Sequence, residues 1–166
     1  MSDRDFLSRA WPEMCAAYRN VELGRACLSL QEAFSVDVPL LLVLCLADQA
    51  GHAVSEDGLK ALVDGAGTWR ETVIAPLRQT RQAMKHRFAS PSEVTLRDDI
   101  KRLELEAERL HVLRLVGAFP ASSASGQVSA ARYLATCGLT GDAARDFIEI
   151  FSTAFDAEVT RTGALN

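Results

Sequence analysis

Apolar positions recur at helical spacing along nearly the whole chain, and no segment alternates as a strand would. Phe6, Leu7, Ala10, Trp11 and Met14 mark a first helix that Asp3 or Asp5 can cap and that reaches Tyr18 or Arg19. Asn20 breaks it and can cap a second helix, Val21 to Phe34, with Leu23, Ala26, Cys27, Leu30, Ala33 and Phe34 on one stripe. Asp37, followed by Pro39, opens a third helix that runs to about Ala50. Residues 40–47 of that helix are apolar on every side, which predicts a place at the centre of a bundle.

Ser55, Glu56 and Asp57 open a short helix through Val63, and the glycines of residues 64–67 predict a break before a long helix from Trp69. Pro76 should kink, offset or split that long helix. After the Ser90-Pro91-Ser92 turn, Ser92 and Glu93 suit the start of another. Its expected core stripe is Leu96, Ile100, Leu103, Ala107, Leu110 and the stem of Arg114. The segment from Gly117 to Gln127 is linker-like, and two helices at about 128–136 and 140–160 follow it. The pattern predicts an all-α, single-domain bundle of about seven or eight helices, with a core over 3–117, a linker over 118–127 and a C-terminal helical hairpin over 128–161.

Two of these helices carry opposite charge stripes. At about 100° per residue, Arg70, Arg78, Arg81 and Lys85 fall within roughly a quarter of one helix surface. Glu104, Glu108 and His111 share a face of the next. A short turn joins the two helices, so they should lie antiparallel, with Arg78 or Arg81 against Glu104 or Glu108. Four cations facing two or three acidic groups leave positive charge over, and that surplus marks Arg70, Arg78, Arg81 and Lys85 as candidate binders of a phosphate or carboxylate.

Glu108-x-x-His111 has the spacing of a di-iron ligand pair, but such a site needs a second copy and further carboxylates; His52 and His86 are preceded three residues earlier by Gln49 and Ala83. Ion pairing with the basic stripe accounts for Glu104 and Glu108 more simply, so no metal and no cofactor is expected. The chain has no nucleophile elbow and no phosphate loop, since Gly65-Ala66-Gly67 follows no strand; no catalytic residue is assigned. Asp37, Asp48, His52 and Asp57 crowd the ends of the central helix; they could build a polar pocket, but caps and a solvated loop explain them more simply. Phe147, Phe151 and Phe155 line one stripe of the last helix, which serves either its own core or a protein partner.

Composition narrows the picture. A length of 166 residues suffices for one domain with a core that needs no staples. The net charge of −4 argues against non-specific nucleic-acid binding. Cys15, Cys27, Cys45 and Cys137 form no paired motif and sit in apolar helical patterns, so they are expected as reduced, buried thiols. The apolar run is too short to cross a bilayer, which takes about 20 residues, and the charged start is unlike a signal peptide. A bacterial, cytoplasmic protein is the expectation.

Several segments carry a resemblance: Ala26-Cys-Leu-x-Leu-Gln31, Val36-Asp-Val before Leu40-Leu-Leu, Trp69-Arg70, Val73 to Arg81, and Lys101-x-x-Glu-Leu-Glu-Ala-Glu108. In these, the region from about Trp11 to His111 resembles an uncharacterised, mainly proteobacterial family of about this length. The resemblance implies a helical fold and supplies no catalytic residue. The family pattern carries an amide residue near His111, which implies that His111 is not an essential ligand. The expected function is a non-enzymatic protein-binding or regulatory module, acting with a protein partner or as a homodimer. The rival is a domain that recognises an anionic small molecule at the arginine stripe.

Overall fold

The computed structural model describes residues 5–121 and 128–163, with side-chain burial given for 8–121 and 128–157. The described residues form eight α-helices: α1 (Asp5–Ala17), α2 (Val21–Phe34), α3 (Val38–Gln49), α4 (Glu56–Trp69), α5 (Ala75–Met84), α6 (Pro91–Ala118), α7 (Ser129–Thr136) and α8 (Asp142–Gly163). The expected linker falls largely on residues 122–127, outside those described.

Helix α3 is the axis of the bundle. Every residue from Val38 to Asp48 except Pro39 is buried, and α1, α2, α6 and α7 pack around it. Its start is fixed by Asp37, whose Oδ1 accepts from the Leu40 N–H at 3.1 Å, with Pro39 in the first turn where no amide proton is needed. Ser35 ends α2 in the left-handed region (φ 53°), which turns the chain sharply from α2 into α3. Helix α8 closes over α1, α2 and α7. Phe147 and Phe151 lie in the core and Phe155 packs partly against it, so the C-terminal aromatic stripe faces its own chain.

The glycines of residues 64–67 do not break the chain. Helix α4 runs through Gly65 and Gly67 to Trp69, continues as one wide turn over Arg70–Ile74, and passes directly into α5. A helical glycine costs about 1 kcal/mol relative to alanine; packing of Leu59, Leu62 and Ala66 against the core outweighs that. The wide turn is the offset that Pro76 demands. The Ala75 N–H bonds back five residues to the Arg70 carbonyl, so the proline enters α5 at its first turn without breaking the helix.

Helix α6 is turned away from the expected stripe. Glu104, Ala107, His111, Val112 and Leu115 are its buried residues, whereas Leu96, Leu103 and Leu110 are exposed. The Arg114 guanidinium is not in the core either; it stacks over the Trp69 ring at 5.2 Å. The reason lies in the neighbours. Helix α5 and the start of α3 present arginines and an aspartate toward α6, and those groups need polar partners more than the leucines need cover. The helix also begins earlier than the Ser92 signal suggests. Ser90 and Glu93 form a reciprocal capping box, with the Ser90 N–H donating to Glu93 Oε2 at 2.9 Å.

The thiols divide. Cys27 and Cys45 are buried as expected, but Cys15 is exposed and Cys137 half-buried; all four are free. Cys15 lies on the outward side of α1, one position beyond buried Met14, so an apolar neighbourhood in sequence did not carry it into the core.

Candidate functional site

The acidic and basic stripes meet across α5 and α6. Arg78 Nε donates to Glu104 Oε1 at 2.8 Å and its Nη2 to Glu108 Oε1 at 2.7 Å. Arg81 Nε donates to Glu104 Oε2 at 2.5 Å. Glu104 is thus held by two guanidinium groups while buried. Burial alone would raise its carboxyl, but the hydrogen bonds and charges of Arg81 and Arg78 together outweigh that and hold it below the usual carboxylate range. Glu108 goes the other way: burial pushes it up, and Arg78 offsets only part of the effect. Lys85 stands exposed at the end of α5, outside this cluster.

The seam opens onto a cavity of about 390 Å³ between α1, the start of α3, the wide turn and α6. Trp11, Met14, Val36, Leu42 and Ile74 give it apolar walls; Arg70, Arg78, Asp37 and Glu108 bring charge to it. Arg19 of α1 lines the cavity as well, and the two arginines that the basic stripe brings there differ in kind. Arg78 is saturated by Glu104 and Glu108. Arg70 Nη1 donates to the Ser35 carbonyl at 2.6 Å, at the C-terminal end of α2, and forms no ion pair with any described residue. Of the four residues of the basic stripe, the structure therefore brings Arg70 and Arg78 to the cavity, sends Arg81 to Glu104 and leaves Lys85 outside.

Two buried polar constellations brace this region, and the sequence pattern gave neither. Asp37 uses both carboxylate oxygens: Oδ1 caps α3, and Oδ2 lies 2.8 Å from His111 Nε2. The Asp37 N–H donates to the Tyr133 hydroxyl at 2.8 Å, which joins α3, α6 and α7 at one point. His111 is therefore an internal hydrogen-bond partner of Asp37, and Glu108 an ion-pair partner of Arg78, so both residues of the Glu-x-x-His spacing are engaged within the fold. Among the described residues no cluster of three metal-ligating side chains occurs. At the other end of α3, Asp48 accepts from the Ser129 N–H at 3.0 Å and the Ala130 N–H at 2.9 Å, capping α7 from a distance. A signal existed: an aspartate in the last turn of a helix opposes the helix dipole and calls for a partner elsewhere.

The cavity's remaining reactive groups are quiet. Burial raises the Cys15 thiol and pushes the Tyr18 phenol up to about 12. In the core, away from the cavity lining, Cys27 is likewise pushed up to about 12, and Cys45 well above its ordinary value.

The model of a family described as a protein of unknown function (DUF2390) matches residues 9–115. That span takes in α2 to α5, most of α1 and α6, and every residue that lines the cavity. No curated protein and no solved structure matches the chain.

Proposed function

The chain belongs to the DUF2390 family, and from its geometry we propose a non-enzymatic, regulatory ligand-binding module. Its ligand is a small amphipathic molecule with an apolar body and one carboxylate or phosphate head. The observation that carries this reading is Arg70: a guanidinium on the wall of a mainly apolar cavity, anchored by a carbonyl and unmatched by any carboxylate among the described residues. An anionic head group completes it, since a guanidinium offers a planar fork of donors to such oxygens. The cavity volume falls in the range of about 300–1,000 Å³ that small-ligand sites occupy. Binding is favoured over catalysis because the nucleophile beside the cavity, Cys15, is held as a thiol, and Asp37 is already bound to a helix terminus and to His111. Among the described residues no helix is long and apolar enough to cross a membrane.

Native mass spectrometry of freshly purified protein reads any retained ligand. Thermal shift with decanoate, decyl phosphate, decanol and decylamine then separates the contributions. The two anions should raise the melting point and the alcohol and amine should not. A ligand at a hundredfold over its Kd adds about 2.7 kcal/mol, which is roughly 5–10 °C for a domain of this size. Arg70→Gln should abolish the anion preference while leaving the unliganded melting point nearly unchanged. Equal shifts from all four compounds, or an anion response that survives Arg70→Gln, would sink the reading.

A further inference from the structure

Among the described residues the outward face of α6 is unpartnered, and it is patterned. Leu96, Leu103 and Leu110 recur every seven residues and are 53%, 56% and 37% exposed, with Leu113 beside them at 47%. Seven helical residues advance about 10 Å and return to nearly the same face. The leucines therefore form a straight apolar row that no described residue covers. Asp99, Arg102, Glu106 and Arg109 flank that row on one side. Among the described residues each arginine is tied only to the acid three residues before it: Arg102 to Asp99 at 2.9 Å and Arg109 to Glu106 at 2.7 Å. Exposed pairs of this kind contribute little and exchange readily.

The order of those charges is acid, base, acid, base. Turned end for end, that order becomes its own complement. We propose that α6 packs antiparallel on α6 of a second copy of this chain, about a two-fold axis level with Glu104. In that register Asp99 stands opposite Arg109 of the second copy, and Arg102 opposite Glu106. The Leu103 side chains of both copies meet beside the axis, with Leu96 and Leu110 extending the contact to either side. A parallel pairing would instead carry the two charged flanks to opposite sides of the interface, where they could not meet. The interface is isologous, as a closed dimer requires, and none of Leu96, Leu103 and Leu110 lines the cavity, so it is independent of the ligand reading.

Sedimentation of the full chain at about 100 µM, where an interface of micromolar affinity is filled, should return twice the chain mass of 18.1 kDa. Leu103→Glu should return a monomer with the wild-type circular dichroism. Arg102→Glu and Glu106→Arg each place like charges opposite one another across the axis, and each alone should weaken association about tenfold. Mixed in equal amounts, these two variants should associate again, because the heterodimer restores both opposite-charge pairs in the antiparallel register alone. A wild-type monomer at that concentration overturns the proposal and leaves the row to a different occupant. A dimer of Leu103→Glu, or a mixture that stays dissociated, overturns it equally.

Discussion

Helix α6 carries Glu104, Glu108 and His111 toward its own fold and Leu96, Leu103 and Leu110 toward solvent, the reverse of what amphipathicity alone prescribes. The inner face sets these three polar groups beside buried Ala107, Val112 and Leu115, and each of the three is matched. Two arginines of α5 hold Glu104, Arg78 alone holds Glu108, and Asp37 holds His111. The outer face is apolar but unmatched. The difference shows that a helix in a bundle is oriented by what its neighbours require. Burying a charge without a partner is far more costly than leaving a leucine half exposed. Once Arg78, Arg81 and Asp37 are fixed by their own helices, α6 has one rotation that satisfies all of them. The leucines take the side that remains.

The largest break in this comparison comes from the inner face. Arg78→Ala strips Glu108 of its ion pair and leaves Glu104 with Arg81 alone, so it should cost about 3–5 kcal/mol, the range for breaking a buried pair by removing one partner. Urea denaturation measures it. A loss under about 1 kcal/mol, as at a solvated pair, would mean that the seam does not orient α6.

Acid sharpens the contrast within the seam. Glu104 is held below the ordinary carboxylate value of 4.5, so its contribution is present above that pH and is lost as pH falls through its lower folded value. Glu108 is raised, so protonation favours the fold; its charged form is a liability at neutral pH that fades as pH falls toward 4.5. Glu104→Gln should therefore destabilise at pH 7 by about 1–3 kcal/mol, and the deficit should shrink in acid. Glu108→Gln keeps an acceptor for Arg78 without the charge, and should change stability much less at pH 7. Denaturation of both variants at pH 7 and pH 4 checks the signs; matching pH profiles would contradict them.

Much of the fold was legible because it depends on local chemistry. Asn20 and Asp37 cap the helices their positions predict, and the all-apolar residues 40–47 could only be central. The end of α4 was misread because glycine signals a break by propensity, while Ala66 and Leu62 anchor that stretch by tertiary packing. The rotation of α6 was misread because its leucines form a cleaner heptad than its buried face, and no local rule weighs a leucine against a charge that another helix must satisfy. The candidate site was legible as a set of residue types. The division of labour within it was not: Arg70 and Arg78 share a stripe, and only the folded positions of Ser35, Glu104 and Glu108 show which of them is spoken for. Asp37–His111 and Asp48–Ser129 span too much sequence for any pattern to join them.

The smallest effect tests the comparison most directly. Leu103 and Leu115 are the same residue on the same helix, one 56% exposed and the other 3%. Leu115→Ala opens a hole in the core and should cost about 2–5 kcal/mol. Leu103→Ala removes a side chain that is mostly in water, so for the isolated chain it should stay within about 0.5 kcal/mol of wild type. Thermal unfolding at low protein concentration reads that difference; equal losses would mean that α6 is turned the other way. Raising the concentration adds a second reading. If the leucine row joins two copies, association stabilises the wild type by mass action, and Leu103→Ala forfeits part of that gain. Its deficit should then grow with protein concentration, while that of Leu115→Ala, which sits within one chain's core, stays constant.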